Sequence, residues 1–200
     1  KYDLGDIGTP KWIYLSSLGG NSLDFNHQIA SFVEKNPEIK LAFQPGTFQI
    51  KFGTDALKDI YKNPEVFFCN VEEAQKILGE TSRDLKTLLK KMSELGPKIV
   101  AITDGMAGAY ILDTKNPEDF WFMPVYPHKP FERTGAGDAF FSTLVSGLAM
   151  EKTLAEALTW APINSMSVTQ EVGAQKGLLT LEKIEEYLAK APEDYKLKKI

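Results

Sequence analysis

The amino-acid sequence predicts an α/β protein in which a mostly parallel sheet carries helices on both faces. Short apolar runs typical of buried strands alternate along the chain with longer amphipathic runs typical of helices. Strands that alternate with helices favour parallel pairing, and in such folds ligands bind beyond the carboxyl ends of the strands. We therefore expect the functional residues in the loops that directly follow strands.

In the first half of the chain, three predicted strands are each followed by helical sequence. The strands are expected at residues 12–15, 40–44 and 66–69. The first helix is predicted over 24–35, and Pro45-Gly46 predicts a turn after the second strand. Thr54 is expected to cap a short helix that ends near residue 61, and Asn70 to cap one over 71–78.

In the second half, a helix after Ser82 as predicted cap precedes the clearest strand, residues 98–103. Two shorter strands are expected on either side of residues 114–117, followed by a proline-rich loop at 124–130. Three helices are then predicted over 135–150, 154–169 and 181–190. With no linker or repeat visible, the 200 residues are predicted to form a single α/β domain.

Composition excludes several classes of protein. Hydrophobic residues make up 43% and charged residues 25%, which is typical of a globular domain, and the net charge is −4. Nucleic acid and anionic membranes are therefore not expected as partners, since both attract a cationic surface. The longest stretch without Asp, Glu, Lys or Arg, residues 157–170, is too short to span a membrane. Cys69 is the only cysteine, which fits the cytoplasm.

Common catalytic and metal-binding motifs are missing from the sequence. The two histidines, His27 and His128, have no second ligand at zinc-binding spacing, and Cys69 reads as an inert core thiol. The sequence contains neither a P-loop nor the Gly-x-Ser-x-Gly turn of acyl hydrolases. P-loop nucleotide hydrolysis and serine-dependent acyl transfer are therefore not expected.

The segment Thr134-Gly-Ala-Gly-Asp-Ala-Phe-Phe141 is the most informative in the chain. Its two glycines open a long apolar helix, where backbone N–H groups and the helix dipole together form a binding site for anions. Asp138 lies in the first turn beside this site and could accept a proton from a hydroxyl that attacks a phosphoryl group. Two alternatives are an ordinary helix start and a dinucleotide-binding fingerprint. The position late in the chain disfavours the latter.

This segment resembles the C-terminal signature of the ribokinase-like (PfkB-type) carbohydrate kinases. Three further segments resemble motifs of that family in the same order: Asn70-Val-Glu-Glu73, Thr103-Asp-Gly-Met-Ala-Gly-Ala109, and Gly173-Ala-Gln175 after a helix that contains Asn164. The resemblance implies a three-layer ribokinase-like sandwich. It also implies an ATP-dependent kinase that phosphorylates a hydroxyl group of a sugar, or alternatively of a nucleoside.

The resemblance assigns expected roles to individual residues. Asp138 is the expected general base, and the amides of Gly135, Ala136 and Gly137 are the expected anion hole. Asn70 and Glu73 are expected to contact Mg²⁺ through water. The residues expected at the nucleotide are Thr103, Gly105, Gly108, Thr134, Asn164 and Gly173.

The sequence also departs from the family pattern. Glu132-Arg133 replaces the Asp-Thr pair, whose aspartate helps several relatives bind a monovalent cation, so K⁺ stays an open alternative beside ATP and Mg²⁺. No segment resembles the sugar-binding motif or the lid that begin full-length relatives. The chain is therefore expected to be the C-terminal, nucleotide-binding part of a longer kinase, and relatives of this type often dimerise through the lid. A nucleotide-binding module without kinase activity of its own is the alternative, and the sequence does not name the sugar.

Overall fold

The computed structural model of the protein describes residues 2–200 and contains seven strands and eight α-helices within them. The strands are β1 (Trp12–Leu15), β2 (Lys40–Phe43), β3 (Val66–Asn70), β4 (Ile99–Thr103), β5 (Ala109–Asp113), β6 (Phe120–Met123) and β7 (Lys198–Lys199). The helices are α1 (Leu23–Lys35), α2 (Thr47–Ala56), α3 (Lys58–Tyr61), α4 (Val71–Leu78), α5 (Leu85–Ser93), α6 (Ala136–Ala149), α7 (Leu154–Val168) and α8 (Leu181–Ala189).

The strands form one sheet in which they follow their sequence order from β1 to β7, with helices on both sides. β1, β2 and β3 pair in parallel, with Leu15 opposite Phe43 and Ala42 opposite Val66. Helices α1, α2 and α3 lie between these strands in the sequence and supply the crossovers that parallel pairing requires. Because β6 and β7 pair antiparallel, the sheet is mixed. The predicted α/β class with helices on both faces is confirmed.

The internal contacts divide the chain into two compact units. The first unit runs to Ile102 and includes Ile111–Phe120, and the second consists of Thr103–Tyr110 and Trp121–Ile200. The predicted single domain over all 200 residues stays a prediction. No helix within residues 2–200 combines the length and the apolar character that a membrane crossing needs.

The core of the first unit is built on its parallel strands. All residues of β3 except Asn70 are buried. The strand is apolar on both of its faces, as expected for a strand that is covered on both sides. The rings of Phe43, Tyr61 and Phe67 meet at centroid distances of 5.3 to 5.8 Å and lie fully out of solvent. Aromatic packing at these distances adds to the stability gained from burial alone.

The second unit is organised around α6 and α7, two largely apolar helices that pack closely together. Gly147 of α6 makes the close approach possible, since a Cβ atom there would lie 2.8 Å from the Cβ atom of Ala157 in α7. The C-terminal segment is fixed to α7 by Tyr195, whose hydroxyl donates a 2.6 Å hydrogen bond to the carbonyl of Thr159. The ring of Tyr195 also packs edge-on against Tyr126.

The structure differs from the local predictions at four points. A helix, α2, follows Gly46 directly where only a turn was predicted, because the side chain of Gln49 accepts a hydrogen bond from the Gly46 N–H (2.8 Å) and so caps the helix. Thr54, the predicted cap, lies inside α2 after a kink at Gly53, whose φ is 84°.

The two other corrections concern a cap and a strand. Asp84, rather than Ser82, caps α5, since its carboxylate accepts a 2.9 Å hydrogen bond from the N–H of Thr87. Ser82 instead accepts a hydrogen bond from Asp84 and shapes the preceding turn. Strand β7 was not predicted, because the pattern around Lys198 and Lys199 has no apolar alternation.

Candidate active site

The turn that precedes α6 depends on glycine at position 135. Residues 133–136 form a tight turn in which the Ala136 N–H donates a long, 3.3 Å hydrogen bond to the carbonyl of Arg133. Gly135 has a φ of 82°, in the left-handed region that L-residues rarely adopt. A Cβ atom here would also lie 2.7 Å from the Cβ atom of Ala174. Both the backbone angle and the close neighbour therefore exclude a side chain.

The first turn of α6 presents backbone N–H groups beyond the end of the helix. The first intrahelical bond runs from the Ala139 N–H to the carbonyl of Gly135, at 2.8 Å. The N–H groups of residues 136–138 precede it and have no acceptor within the helix. Together with the helix dipole they favour a bound anion. Asp138 projects from this same turn and is exposed to solvent, so a carboxylate stands beside the predicted phosphate position.

Helix α7 holds this turn in place. Ser165 donates a 2.9 Å hydrogen bond from its hydroxyl to the carbonyl of Ala136. At the end of the same helix, the carbonyl of Thr169 accepts hydrogen bonds from the N–H groups of Phe131 (2.8 Å) and Glu132 (3.0 Å). The segment entering α6 is thus tied to one helix from both sides of the turn.

A third contact joins this segment to the 170–177 loop. The carboxylate of Glu132 accepts a 3.2 Å hydrogen bond from the N–H of Gly173. Gly173 has a φ of 99°, and no atom lies within 4 Å of where its Cβ atom would be. The structure therefore brings the predicted residues Gly135 and Gly173 into one neighbourhood, through Glu132 and Ala174.

Asn164 lies in α7 and is buried, with 6% of its surface exposed. Its side-chain NH₂ donates to the hydroxyl of Thr143 (2.7 Å), and its carbonyl accepts from the N–H of Leu179 (2.9 Å). A buried amide needs such partners, since leaving either end unpaired would cost free energy. The protein itself therefore engages both polar ends of Asn164, and this network fixes the chain entering α8.

Three predicted nucleotide residues, Thr103, Gly105 and Gly108, lie at the end of β4 and in the loop after it, whereas Thr134 lies in the turn before α6. Strand β4 ends at Thr103, and the following loop closes with a 2.9 Å hydrogen bond from the Asp104 N–H to the carbonyl of Gly108. Gly108 has a φ of 100°, and a Cβ atom there would lie 2.7 Å from the carbonyl oxygen of Met123. Gly105 also has a positive φ, 52°, but open space surrounds its missing Cβ position. Gly108 is thus required for packing, whereas the space beside Gly105 is open.

In the first unit, Asn70 and Glu73 form a capping box at the start of α4. The Asn70 side chain accepts from the Glu73 N–H (2.8 Å), and the Glu73 carboxylate accepts from the Asn70 N–H (2.9 Å). The predicted cap is confirmed. Across residues 2–200, no group of three or more His, Cys, Asp or Glu side chains could hold a metal ion directly. A carboxylate oriented in this way suits contact with a hydrated Mg²⁺, which retains several waters.

Two ionisable residues buried near this cap, Cys69 and Tyr61, are chemically unreactive. Burial, and to a lesser degree the negative charge of Glu73, raise the pKa of the Cys69 thiol well above its ordinary value. Burial also raises the pKa of the Tyr61 hydroxyl. A thiol that stays protonated is a poor nucleophile, so the interpretation of Cys69 as a core thiol fits the structure.

Three residues shape the turn before α6 without a role predicted from the sequence: Ser165, Thr169 and Ala174, the last of which appears there only within the Gly173-Ala-Gln175 motif. Ser165 shares its helix with the hydroxyls of Thr159 and Ser167, so the sequence alone gives no reason to choose it. Thr169 acts through its backbone carbonyl and Ala174 through its small volume. Neither property appears as a pattern in the sequence.

Similarity to known proteins was found both in sequence and in structure. Residues 40–181, more than half of the chain, match the family described as pfkB family carbohydrate kinase. An uncharacterized sugar kinase of Archaeoglobus fulgidus is 28% identical over 89% of this chain and 65% of its own length. A cytidine kinase of Thermococcus kodakarensis is 32% identical over 62% of this chain and 44% of its own length. The chain thus spans less than two thirds of these relatives.

Solved structures show the same fold. A ribokinase II from E. coli, described as putative and in its apo form, superposes with a TM-score of 0.78 at 17% identity, covering 94% of this chain and 62% of that one. Arabidopsis thaliana ribokinase, solved with ribose and ATP, gives a TM-score of 0.72 at 19% identity, covering 89% of this chain and 55% of that one. Since the family match includes the glycine turn of α6, the loop after β4 and the capping box of α4, the chain belongs to the pfkB family of carbohydrate kinases.

Proposed function

We propose that this chain is the nucleotide-binding part of an ATP-dependent kinase that phosphorylates a hydroxyl group of a sugar. The single observation that carries the proposal is the start of α6. There, N–H groups that have no acceptor within α6, among them those of Ala136 and Gly137, occupy one helical turn with the exposed carboxylate of Asp138. Phosphoryl transfer needs this combination of positive potential for the phosphate and a base for the attacking hydroxyl.

In the proposed step, the acceptor oxygen attacks the γ-phosphorus of ATP and the bond to the β–γ bridging oxygen breaks. Asp138 takes the proton of the attacking hydroxyl, and ADP leaves with the electrons of the broken bond. The amides of Gly135, Ala136 and Gly137 stabilise the negative charge on the transferred group. The dipole of α6 acts in the same direction.

The proposed nucleotide contacts lie in the second unit. Thr103, Gly105 and Gly108 would line the nucleotide after β4, and the open space at Gly105 supports a close backbone approach. Thr134 is exposed beside the turn and is available to a phosphate. Asn164 would act indirectly, since its side chain holds the chain at Leu179. Gly173 would act through the loop that packs on Gly135.

Mg²⁺ is part of the proposal through Asn70 and Glu73, whose capping box orients both side chains. When bound, the ion supplies charge neutralisation on the phosphates. ATP and ribose are named for the Arabidopsis structure, and they support this assignment by analogy. A K⁺ requirement, a cytoplasmic location and dimer formation stay predictions.

Two alternatives have observations of their own. The cytidine kinase relative favours a nucleoside acceptor. The limited coverage of the relatives leaves open a module that binds nucleotide without transferring phosphate. The two alternatives differ in what they predict for catalysis, because only the first produces ADP.

The test is ADP release from MgATP with a panel of sugars and nucleosides, run in K⁺ and in Na⁺ buffers. The 200-residue chain and any longer form that its gene encodes are assayed side by side. We expect ADP release with one class of acceptor. Binding of MgATP by both forms without acceptor-dependent ADP release would favour the binding module, and a response to cytidine or uridine alone would establish the nucleoside kinase.

A further inference from the structure

Glu132 makes an interaction that the proposed mechanism does not use. Its side chain is half-buried, although glutamate at a loop position is ordinarily solvated. One carboxylate oxygen accepts a 3.2 Å hydrogen bond from the Gly173 N–H, 41 residues further along the chain. A bond to a charged acceptor is stronger than one between neutral groups.

The backbone on the Glu132 side of this bond is anchored by hydrogen bonds. The N–H groups of Phe131 and Glu132 converge on the carbonyl of Thr169, at 2.8 and 3.0 Å. The side chain of Gln170 donates a 3.0 Å hydrogen bond to the carbonyl of Lys129. The carboxylate of Glu132 therefore starts from an anchored backbone and reaches the 170–177 loop at Gly173.

The segment held by Glu132 forms the wall of the glycine turn. Ala174 follows Gly173 directly, and its Cα and Cβ atoms occupy the place where a side chain at Gly135 would lie, at 2.8 and 2.7 Å from the missing Cβ. Gly135 is the residue from which α6 begins. A displacement of Ala174 would thus remove the surface against which the left-handed turn of Gly135 packs.

We infer that Glu132 is a positioning residue that fastens the Gly173–Ala174 segment against Gly135 and so keeps the amides at the start of α6 directed at the phosphate. This inference rests on the proposed function, because it assigns those amides to a transferred phosphoryl group. Glu132 touches no reacting atom in this scheme. Its removal should lower kcat and weaken nucleotide binding while leaving the KM for the acceptor unchanged.

The chain offers a matched control in the same loop. Glu171 pairs with Lys176 through a 2.7 Å contact between exposed side chains, an arrangement that contributes little stability. Glu171 lies two residues before Gly173 in the sequence. Glu171→Gln therefore removes one negative charge from the loop, as Glu132→Gln does from its own position, but leaves the hydrogen bond to the Gly173 N–H intact. Glu132→Gln keeps an oxygen acceptor of the same length, and Glu132→Ala removes it.

The experiment measures two quantities for wild type, Glu132→Ala, Glu132→Gln and Glu171→Gln. Amide hydrogen exchange reports on Gly173, and calorimetry with MgADP and with MgATP reports nucleotide affinity; kcat and KM are added once an acceptor is known. For Glu132→Ala we expect exchange at Gly173 to rise about tenfold and nucleotide Kd to rise about tenfold, the effect of losing one hydrogen bond to a charged group. Glu132→Gln should fall between these values and wild type. Glu171→Gln should lie within about twofold of wild type.

The outcomes test the inference about Glu132 separately from the proposed function. Unchanged exchange at Gly173 in Glu132→Ala would overturn the inference, as would equal nucleotide Kd values for Glu132→Ala and Glu171→Gln. Should Glu132→Ala fail to fold, Glu132→Gln supplies the same comparison. If wild type binds neither MgADP nor MgATP, the proposed function fails and the role of Glu132 toward phosphate fails with it, while the exchange data still report whether Glu132 holds the loop.

Discussion

The hydroxyl of Ser165, in the last turns of α7, donates a 2.9 Å hydrogen bond to the carbonyl oxygen of Ala136, the first residue of α6. The two residues are 29 positions apart in the sequence. This bond fixes one side of the turn from which the amides of the proposed anion hole project. It gives a direct test of how firmly α7 holds the turn.

Replacing Ser165 by alanine should lower the free energy of unfolding by about 1 kcal/mol, the usual net value of one hydrogen bond. Urea denaturation measures this change, and the m-value should stay constant. Ser146→Ala in α6 is the matched control, because Ser146 is an exposed helical serine. The control should be neutral or slightly stabilising, since alanine is the better helix former. Equal stability of the two variants would show that the Ser165 bond contributes nothing.

Asp138→Asn should strongly slow phosphoryl transfer while nucleotide binding survives. The amide retains the size of the carboxylate but cannot accept a proton, so turnover should fall by about 100-fold or more. Turnover is measured as ADP release, and binding by calorimetry with MgADP. Asp24→Asn is the matched control, because Asp24 is an exposed aspartate in the first turn of α1. Near-normal turnover in Asp138→Asn would remove Asp138 from the role of base.

Gly135→Ala and Gly173→Ala should differ in stability although both glycines have positive φ. At either position, an alanine in the left-handed backbone conformation should lower the free energy of unfolding by about 1 to 2 kcal/mol. At Gly135 the new methyl group would also lie 2.7 Å from the Cβ atom of Ala174, whereas at Gly173 no atom lies within 4 Å. Urea denaturation should therefore show a larger loss for Gly135→Ala. An equal loss of unfolding free energy in the two variants would contradict this prediction, because it would mean that the 170–177 loop moves away from the new methyl group with no loss of stability.

Alkaline pH should destabilise the protein through Cys69. Burial raises the pKa of this thiol in the folded chain, whereas the unfolded chain loses the proton near the ordinary value of 9.0. The folded pKa is the higher one, so the stabilising contribution is complete below pH 9.0 and is lost as the pH rises above it. Tyr61 acts in the same direction above its ordinary value of 10.0.

Urea denaturation at pH 7, 9 and 10 measures this dependence, and Cys69→Ala is the comparison variant. The slope of stability against pH should be shallower in Cys69→Ala than in wild type. A thiol reagent should label Cys69 in urea and leave it intact in the native protein. Rapid labelling of the native chain would contradict the burial of Cys69, which is completely hidden from solvent.

Most elements of the fold could be predicted from the sequence because they depend on local patterns. The apolar runs of β1, β3 and β4 and the amphipathic repeat of α5 are readable over a few residues. The capping box of Asn70 and Glu73 is equally local, since its partners are three residues apart. The predictions failed where a partner far along the chain, or a competing cap, decided the outcome, as for β7, which exists through pairing with β6.

The same distinction applies to the candidate site. The glycines and the aspartate of the α6 segment are visible in the sequence because backbone freedom and a carboxylate are properties of single residues. The bonds from Ser165, Thr169 and Glu132 are not visible, because each joins positions 29 to 41 residues apart or passes through a backbone carbonyl. Asn164 was singled out by resemblance, and its two buried partners emerge only in the folded chain.

The sequence by itself determined the α/β class, the order of the elements and the residue types that can bind phosphate and accept a proton. These follow from periodicity and from the chemistry of individual side chains. Only the tertiary structure decided that Ala174 closes the space beside Gly135 and that Glu132 holds the loop carrying Ala174. Such contacts depend on packing between distant segments, and the free energy of that packing belongs to the pair of segments rather than to either sequence alone.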